Sequence, residues 1–203
     1  QHNGFSVPFV PTLRGVSDIL KRPVWLCSVM LRYLMTSGMP NYAHYPDAFK
    51  TAITRNAVAE DVKIENGLSW SDIAEIRDRW PGEIIIKGVL SVEDATKAAK
   101  IGADGIVVSA HGGRNFDIAP APVDVLPGIV DAVGRQITIM ADSGVRRGSD
   151  ALKYLALGSR AVLAAGGEQG AYDILAMLID EMHSNLVFSG SDNLEVFGRN
   201  AIA

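Results

Sequence analysis

The chain has 203 residues, enough for one domain or a large piece of one. A hydrophobic share of 48% with 21% charged residues is ordinary for a folded globular protein, and a net charge of -4 disfavours general affinity for nucleic acid. The single cysteine, Cys27, excludes an internal disulfide and any Cys-rich metal site, and no apolar run approaches the ~20 residues that span a bilayer.

Residues 1–66 are rich in Pro, Gly, Asn and aromatic residues and contain no repeat. No cleavable signal peptide is visible at their start, which favours a cytoplasmic setting. Within them Val16 to Leu20 and Val24 to Met35 read as short helices, with Pro23 in the first turn of the second. The second is apolar almost all round, and Cys27 sits among Trp25, Leu26 and Met30 as a packing residue. Arg14, Lys21, Arg22 and Arg32 surround it against Asp18 alone, a composition that could lie peripherally on a membrane surface through residues 16–40. The bland alternative is a helix pair packed on a barrel or a neighbouring subunit.

A regular rhythm begins at Leu68. Ser69 to Arg79 reads as a helix capped by Ser69 or Ser71, and Pro81-Gly82 as a turn. Glu83 to Lys87 reads as a buried strand ending at a lysine, and Ser91 caps a helix running through Lys100. Strand Gly105 to Ser109, helix Val123 to Val133, strand Gln136 to Ala141 and a helix from Ser149-Asp150 through Leu157 follow. A last strand covers Arg160 to Ala164 or Ala165, and Gly170 to Leu186 is a long amphipathic helix. Short, nearly continuous apolar strands alternating with helices predict a parallel α/β sheet. Lys87-Gly88-Val89-Leu90 is not a dinucleotide-binding loop. Polar groups at successive strand tips favour a TIM (β/α)8 barrel, and four strands amount to its C-terminal half, since a closed barrel takes ~250 residues.

The strand tips carry the chemistry. Lys87 ends the first strand; Ser109 and His111 end the second; Asp142-Ser143-Gly144-Val145-Arg146-Arg147-Gly148 follows the third. Lys87 could form a Schiff base, place charge beside an anionic cofactor, or make a structural ion pair at the sheet edge. His111 is a candidate general base or a hydrogen-bonded loop histidine. Arg114 offers a planar fork to a carboxylate, or an ordinary surface ion pair. The Gly144 to Gly148 turn, with amides and two arginines ahead of a helix, reads as a phosphate cradle. His2, His44 and His183 lack metal-ligand spacing, so no metal site is expected.

These motifs resemble the FMN-dependent 2-hydroxy acid dehydrogenase and oxidase family, which includes glycolate oxidase, lactate oxidase, flavocytochrome b2 and (S)-mandelate dehydrogenase. The resemblance covers most of the chain. Ile86-Lys87-Gly88 is similar to the family's lysine strand, Ser109 to Asp117 (SAHGGRNFD) to its S-N-H-G-G-R-Q-L-D signature, and Asp142 to Asp150 (DSGVRRGSD) to its phosphate segment. His2-Asn3-Gly4-Phe5 and Pro23-Val24-Trp25 resemble the family's region of long loop and helices after the fourth barrel strand. Asp142-Ser143-Gly144 and Leu68 to Trp80 look closest to the mandelate branch. The resemblance implies a barrel whose residues 1–66 are an insertion after the fourth strand and whose residues 67–203 are the C-terminal half.

It further implies bound FMN, a small (S)-2-hydroxy acid substrate such as mandelate, lactate or glycolate, and an electron acceptor that is a quinone, a cytochrome or oxygen. A homo-oligomer, often a tetramer, goes with it. Lys87 would stabilise negative charge on the flavin, His111 would take the substrate's proton, and Arg114 would pair with its carboxylate. Ser109, Asp142, Ser143, Gly144 and Arg146 would complete the cofactor-binding set with Lys87. The chain departs from the pattern in three places. Ala110 replaces the asparagine before the histidine, the Gly-Arg pair and short helix after the last strand are absent from Ala161 to Glu168, and the family's N-terminal half is missing. The first two departures favour a degenerate relative serving as a binding or structural subunit; retention of Lys87, His111, Arg114 and Arg146 argues against it. A different phosphate-binding barrel enzyme, such as a sugar-phosphate isomerase, fits the His-Gly-Gly-Arg arrangement poorly.

Overall fold

The computed structural model describes residues 13–38, 67–114, 116, 118–164 and 168–202. The expectations at His2-Asn3-Gly4-Phe5, His44, Asn115, Asp117 and Ala165 to Gly167 lie outside the described residues. The chain divides into two compact units, Gln1–Gly67 and Leu68–Ala203.

In the first unit, α1 spans Leu13–Leu20 and α2 spans Pro23–Trp25. A π-helical segment, Leu26–Leu31, leads directly into α3, Arg32–Ser37. Pro23 opens this run where its missing N–H has no helical partner to lose. The run stops at Gly38, whose φ of 75° lies outside the helical region. The apolar side chains face outward to an unusual degree, Leu13 at 94%, Val24 at 79% and Met35 at 87% exposed. Cys27 is exposed too, against the packing role its apolar neighbours suggested. None of the described helices is long and apolar enough to cross a membrane.

The second unit holds α4 (Trp70–Arg79), β1 (Ile85–Val89), α5 (Val92–Ile101), β2 (Gly105–Val108), α6 (Pro122–Val133), β3 (Thr138–Ala141), α7 (Gly148–Ala156), β4 (Ala161–Val162) and α8 (Glu168–Phe188). The four strands form one parallel sheet in the order β1-β2-β3-β4. Order without reversal is that of a barrel wall; a doubly wound sheet reverses at a switch point. All four residues of β2 are buried, which is why its sequence is apolar without alternation. The core joins Ile106 and Val108 of β2, Ile139 of β3, Leu126 and Ile129 of α6, and Ala95 and Ala98 of α5.

Helix starts follow local chemistry. The Ser91 hydroxyl accepts from the Asp94 amide at 3.0 Å, and the Asp72 carboxylate accepts from the Ser69 amide at 2.7 Å. All four strands differ at an end from the sequence expectation: β2 stops at Val108 instead of Ser109, β3 starts at Thr138 instead of Gln136, and β1 and β4 differ more. β1 continues two residues past Lys87 because its register shifts between Lys87 and Val89, around Gly88 at φ +100°. β4 shortens to Ala161–Val162 and, among the described residues, pairs only with β3.

Candidate functional site

The C-terminal tips of β1, β2 and β3 meet around the carboxylate of Asp142. Lys87 places its ammonium 2.9 Å from Asp142 Oδ2 and donates to Ser109 Oγ at 2.7 Å. Ser109 is 1% exposed. Ser143 donates to Asp142 Oδ1 at 2.9 Å. Burial pushes the Asp142 carboxyl up, but the hydrogen bonds from Ser109, Lys87 and Ser143 and the Lys87 charge outweigh it, so it is held below the usual carboxylate value. The sequence offered Lys87 a Schiff base, a cofactor contact or an ion pair; the side chain forms the ion pair, at the lip of the sheet.

The turn after β2 is tied to these groups through its backbone. The His111 amide donates to Ser109 Oγ at 3.1 Å. The amides of Ala110 and Gly112 donate to Ser143 Oγ at 3.3 and 3.1 Å. His111, Gly112 and Gly113 all take positive φ, at 52°, 66° and 73°. Gly creates no strain there, whereas His111 does. Opposite, a Cβ on Gly88 would lie 3.0 Å from His111 Nε2, so the glycine of β1 makes room for the imidazole.

Beyond β3, Ser143 and Gly144 take φ of 75° and 78°, turning the chain toward α7. Tyr154 of α7 fixes this turn from below, its hydroxyl donating to the carbonyls of Ser143 at 2.8 Å and Asp142 at 3.3 Å. Burial, then the charges of Asp142, Asp150 and Asp124, raise the Tyr154 phenol, which therefore stays protonated and keeps donating. Sequence reasoning missed Tyr154; it sits mid-helix, eleven residues beyond its partner Ser143, in no motif. The head of α7 differs from the anticipated phosphate cradle. The amides of Arg146 and Arg147 donate to Asp150 Oδ2 at 3.0 and 3.1 Å, and that of Gly148 donates to Glu181 Oε2 of α8 at 2.6 Å. Two carboxylates thus occupy the positions where an anion would sit.

Lys87, His111, Gly112, Arg114, Asp142, Ser143, Gly144, Val145, Leu163 and Ala164 line one open cleft of about 540 Å³. Of the anticipated residues, Ser109 lies buried behind it and Arg146 is exposed outside its lining. Among the described residues no group of acidic, histidine or cysteine side chains could hold a metal. An anionic cofactor fits the cleft. Arg114 and Lys87, the latter paired with Asp142, put positive charge in its lining, and a Cβ at Gly144 would touch nothing within 4 Å, so a ligand can approach the backbone closely.

Acid should loosen this site. A carboxyl held low stabilises the fold fully above its unfolded value of about 4 and loses that contribution as pH falls through its folded value. The melting temperature should therefore fall on acidification below about pH 4 more steeply in the parent than in Asp142→Asn, as thermal unfolding across pH would measure. Equal slopes would remove Asp142 as a source of the acid limb.

The profile of the family described as FMN-dependent dehydrogenase matches residues 1–203. An L-lactate dehydrogenase of Caulobacter vibrioides is 38% identical over 204 residues, covering 93% of this chain and 51% of that protein. An L-lactate dehydrogenase of Yersinia pestis (strain Pestoides F) is 41% identical over 217 residues, covering all of this chain and 55% of the relative. The chain thus spans about half the length of the curated relatives it matches. Among solved structures, the monotopic membrane protein (S)-mandelate dehydrogenase aligns with a TM-score of 0.82 and 30% identity, over 98% of this chain and 54% of that one. A mutant flavocytochrome b2 with pyruvate bound aligns with a TM-score of 0.63 and 32% identity, over 68% of this chain and 38% of that one.

Proposed function

The chain belongs to the family of FMN-dependent dehydrogenases, and from that membership we propose that the protein oxidises a small (S)-2-hydroxy acid to its 2-keto acid. The observation that carries the proposal is the convergence of Lys87, His111 and Arg114, from two neighbouring strand tips, on one cleft.

Arg114 binds the substrate carboxylate through its fork and so orients the carbon that is oxidised. His111 accepts the proton of the 2-hydroxyl while the hydrogen on that carbon leaves with its bonding pair, so that the O–H and C–H bonds break as the C=O bond forms. FMN, when bound, supplies the acceptor for the two electrons. Lys87 offsets negative charge on the cofactor, and Asp142 holds the ammonium in position with Ser109 behind it. Gly144, with the exposed Arg146 side chain near it in sequence, would hold the cofactor's polar tail, since the amides at the head of α7 are already taken. Electrons then pass to a quinone, a cytochrome or oxygen.

The experiment is an anaerobic absorption spectrum of the purified protein before and after L-lactate, (S)-mandelate or glycolate. Bleaching of a flavin spectrum by one acid is expected, and that acid names the substrate class. Protein that takes up no flavin after reconstitution would sink this reading and leave a binding or structural subunit.

The first unit supports a second element of the proposal, peripheral contact with a membrane through residues 16–40. Exposed Val16, Leu20, Val24, Val29 and Met35 share the segment with Lys21, Arg22 and Arg32, the chemistry of an interfacial anchor. A solved relative covering 98% of the chain is described as monotopic. Deleting residues 16–40 should release the protein from vesicles and leave turnover with a soluble dye. Retention on the vesicles would exclude the segment as the anchor.

A further inference from the structure

Two serine hydroxyls account for three successive amides of the turn that carries His111. Ser109 takes the amide of His111; Ser143, from the neighbouring strand, takes those of Ala110 and Gly112. Ser143 is the less expected partner. Its own φ of 75° is disfavoured for a residue with a side chain, and glycine would occupy that conformation without strain. A hydroxyl has one donor and two acceptor sites. Ser143 Oγ uses its donor on Asp142 Oδ1 and both acceptors on the two amides. No hydrogen-bonding capacity is left for a ligand, although the residue lines the cleft.

We infer that Ser143 is a positioning residue: its hydroxyl ties the tip of β3 to the turn after β2 and so sets where His111 stands, with Asp142 holding the hydroxyl in its accepting orientation. The inference rests on His111 being the base of the proposed reaction. The tie also spans the lip of the sheet. Lys87 on β1 grips Asp142, Asp142 grips Ser143, and Ser143 grips the backbone on either side of His111. Neutralising Asp142 or shifting Lys87 therefore reaches the base without touching it.

The test uses the flavin-loaded protein and two substitutions that move stability and activity in opposite directions. Ser143→Gly relieves the strained φ and removes the hydroxyl. Its melting temperature should equal or exceed the parent's, while kcat falls roughly ten- to a hundredfold, the scale of a displaced catalytic group. Ser143→Thr restores the hydroxyl but puts a β-branched residue at positive φ. It should melt lower than the parent and yet recover most of the lost kcat. A merely structural serine would make activity follow stability in both variants.

Amide exchange of a peptide spanning residues 109–114, followed by mass spectrometry, supplies a readout independent of turnover and should quicken in Ser143→Gly alone. Parent-like exchange and kcat in Ser143→Gly would overturn the inference. So would weaker flavin retention with unchanged exchange, which makes Ser143 a cofactor contact. If the parent itself oxidises none of the acids, the functional reading fails, and the exchange comparison still decides whether the tie exists.

Discussion

Replacing His111 with alanine should lower kcat/KM by about 10²–10⁴, the usual contribution of a positioned acid–base group, while the protein still binds flavin. The effect should fall on turnover. The groups expected to meet cofactor and carboxylate, Lys87, Gly144 and Arg114, are untouched, so substrate binding loses little. Backbone conformation is the competing explanation, because position 111 sits at φ 52° and alanine is poorly suited there. His111→Asn controls for it. Asparagine tolerates that conformation and cannot act as a base, so it should be as inactive as alanine and melt closer to the parent. Steady-state rates with a dye acceptor and a melting curve for each variant separate the two causes. Near-normal turnover in either variant removes His111 from the base role.

The second large effect is expected where α7 packs on α8. Gly148→Ala should destabilise the second unit by about 3 kcal/mol, the upper range for inserting a methyl group into a packed interface. In a chain of this size that lowers Tm by about 6–12 °C. A Cβ at Gly148 would stand 2.5 Å from the Leu178 carbonyl, 2.6 Å from Glu181 Cβ and 2.6 Å from the Met182 amide, all on α8. Two of those three atoms are backbone, so no side-chain rotation relieves the clash and α7 must part from α8. Parting also breaks the bond from the Gly148 amide to Glu181, stranding a partly buried carboxylate. The clash acts through the head of α7, directly after the turn that bears Ser143 and Gly144, so cofactor retention should weaken as well. A melting temperature within a degree or two of the parent would show that α8 can slide without cost.

The expected and observed elements agree where local chemistry fixes the outcome. Ser91 and Ser69 start helices because a side-chain oxygen or a nearby carboxylate can meet the first free amides, a decision made within four residues. The gathering of Lys87, Ser109, His111 and Asp142 was legible because neighbouring parallel strands end at the same level. Who bonds whom at that level was not. Glu181 reaches Gly148 across 33 residues, and no spacing rule links a mid-helix glutamate to the start of the preceding helix. The sequence displays the amides and arginines of Gly144 to Gly148 but hides the carboxylates of Asp150 and Glu181 that three of those amides meet. The length of β1 was hidden too. The glycine after Lys87 looks like a terminator, yet at φ +100° it becomes an irregularity that lets pairing continue to Val89.

Strand order also bears on how the chain is made. Each described strand pairs only with those adjacent to it in sequence, at Ile85, Gly105, Thr138 and Ala161 in turn, so every pairing partner has already left the ribosome when the next strand emerges. The sheet can grow in the order of synthesis, each arriving strand covering the edge left open by its predecessor. The longest wait falls between Val108 and Thr138, while α6 is being completed and the fully buried β2 has one side unpaired. During that interval Gly105-Ile106-Val107-Val108 is, of the four described strands, the one most in need of a chaperone.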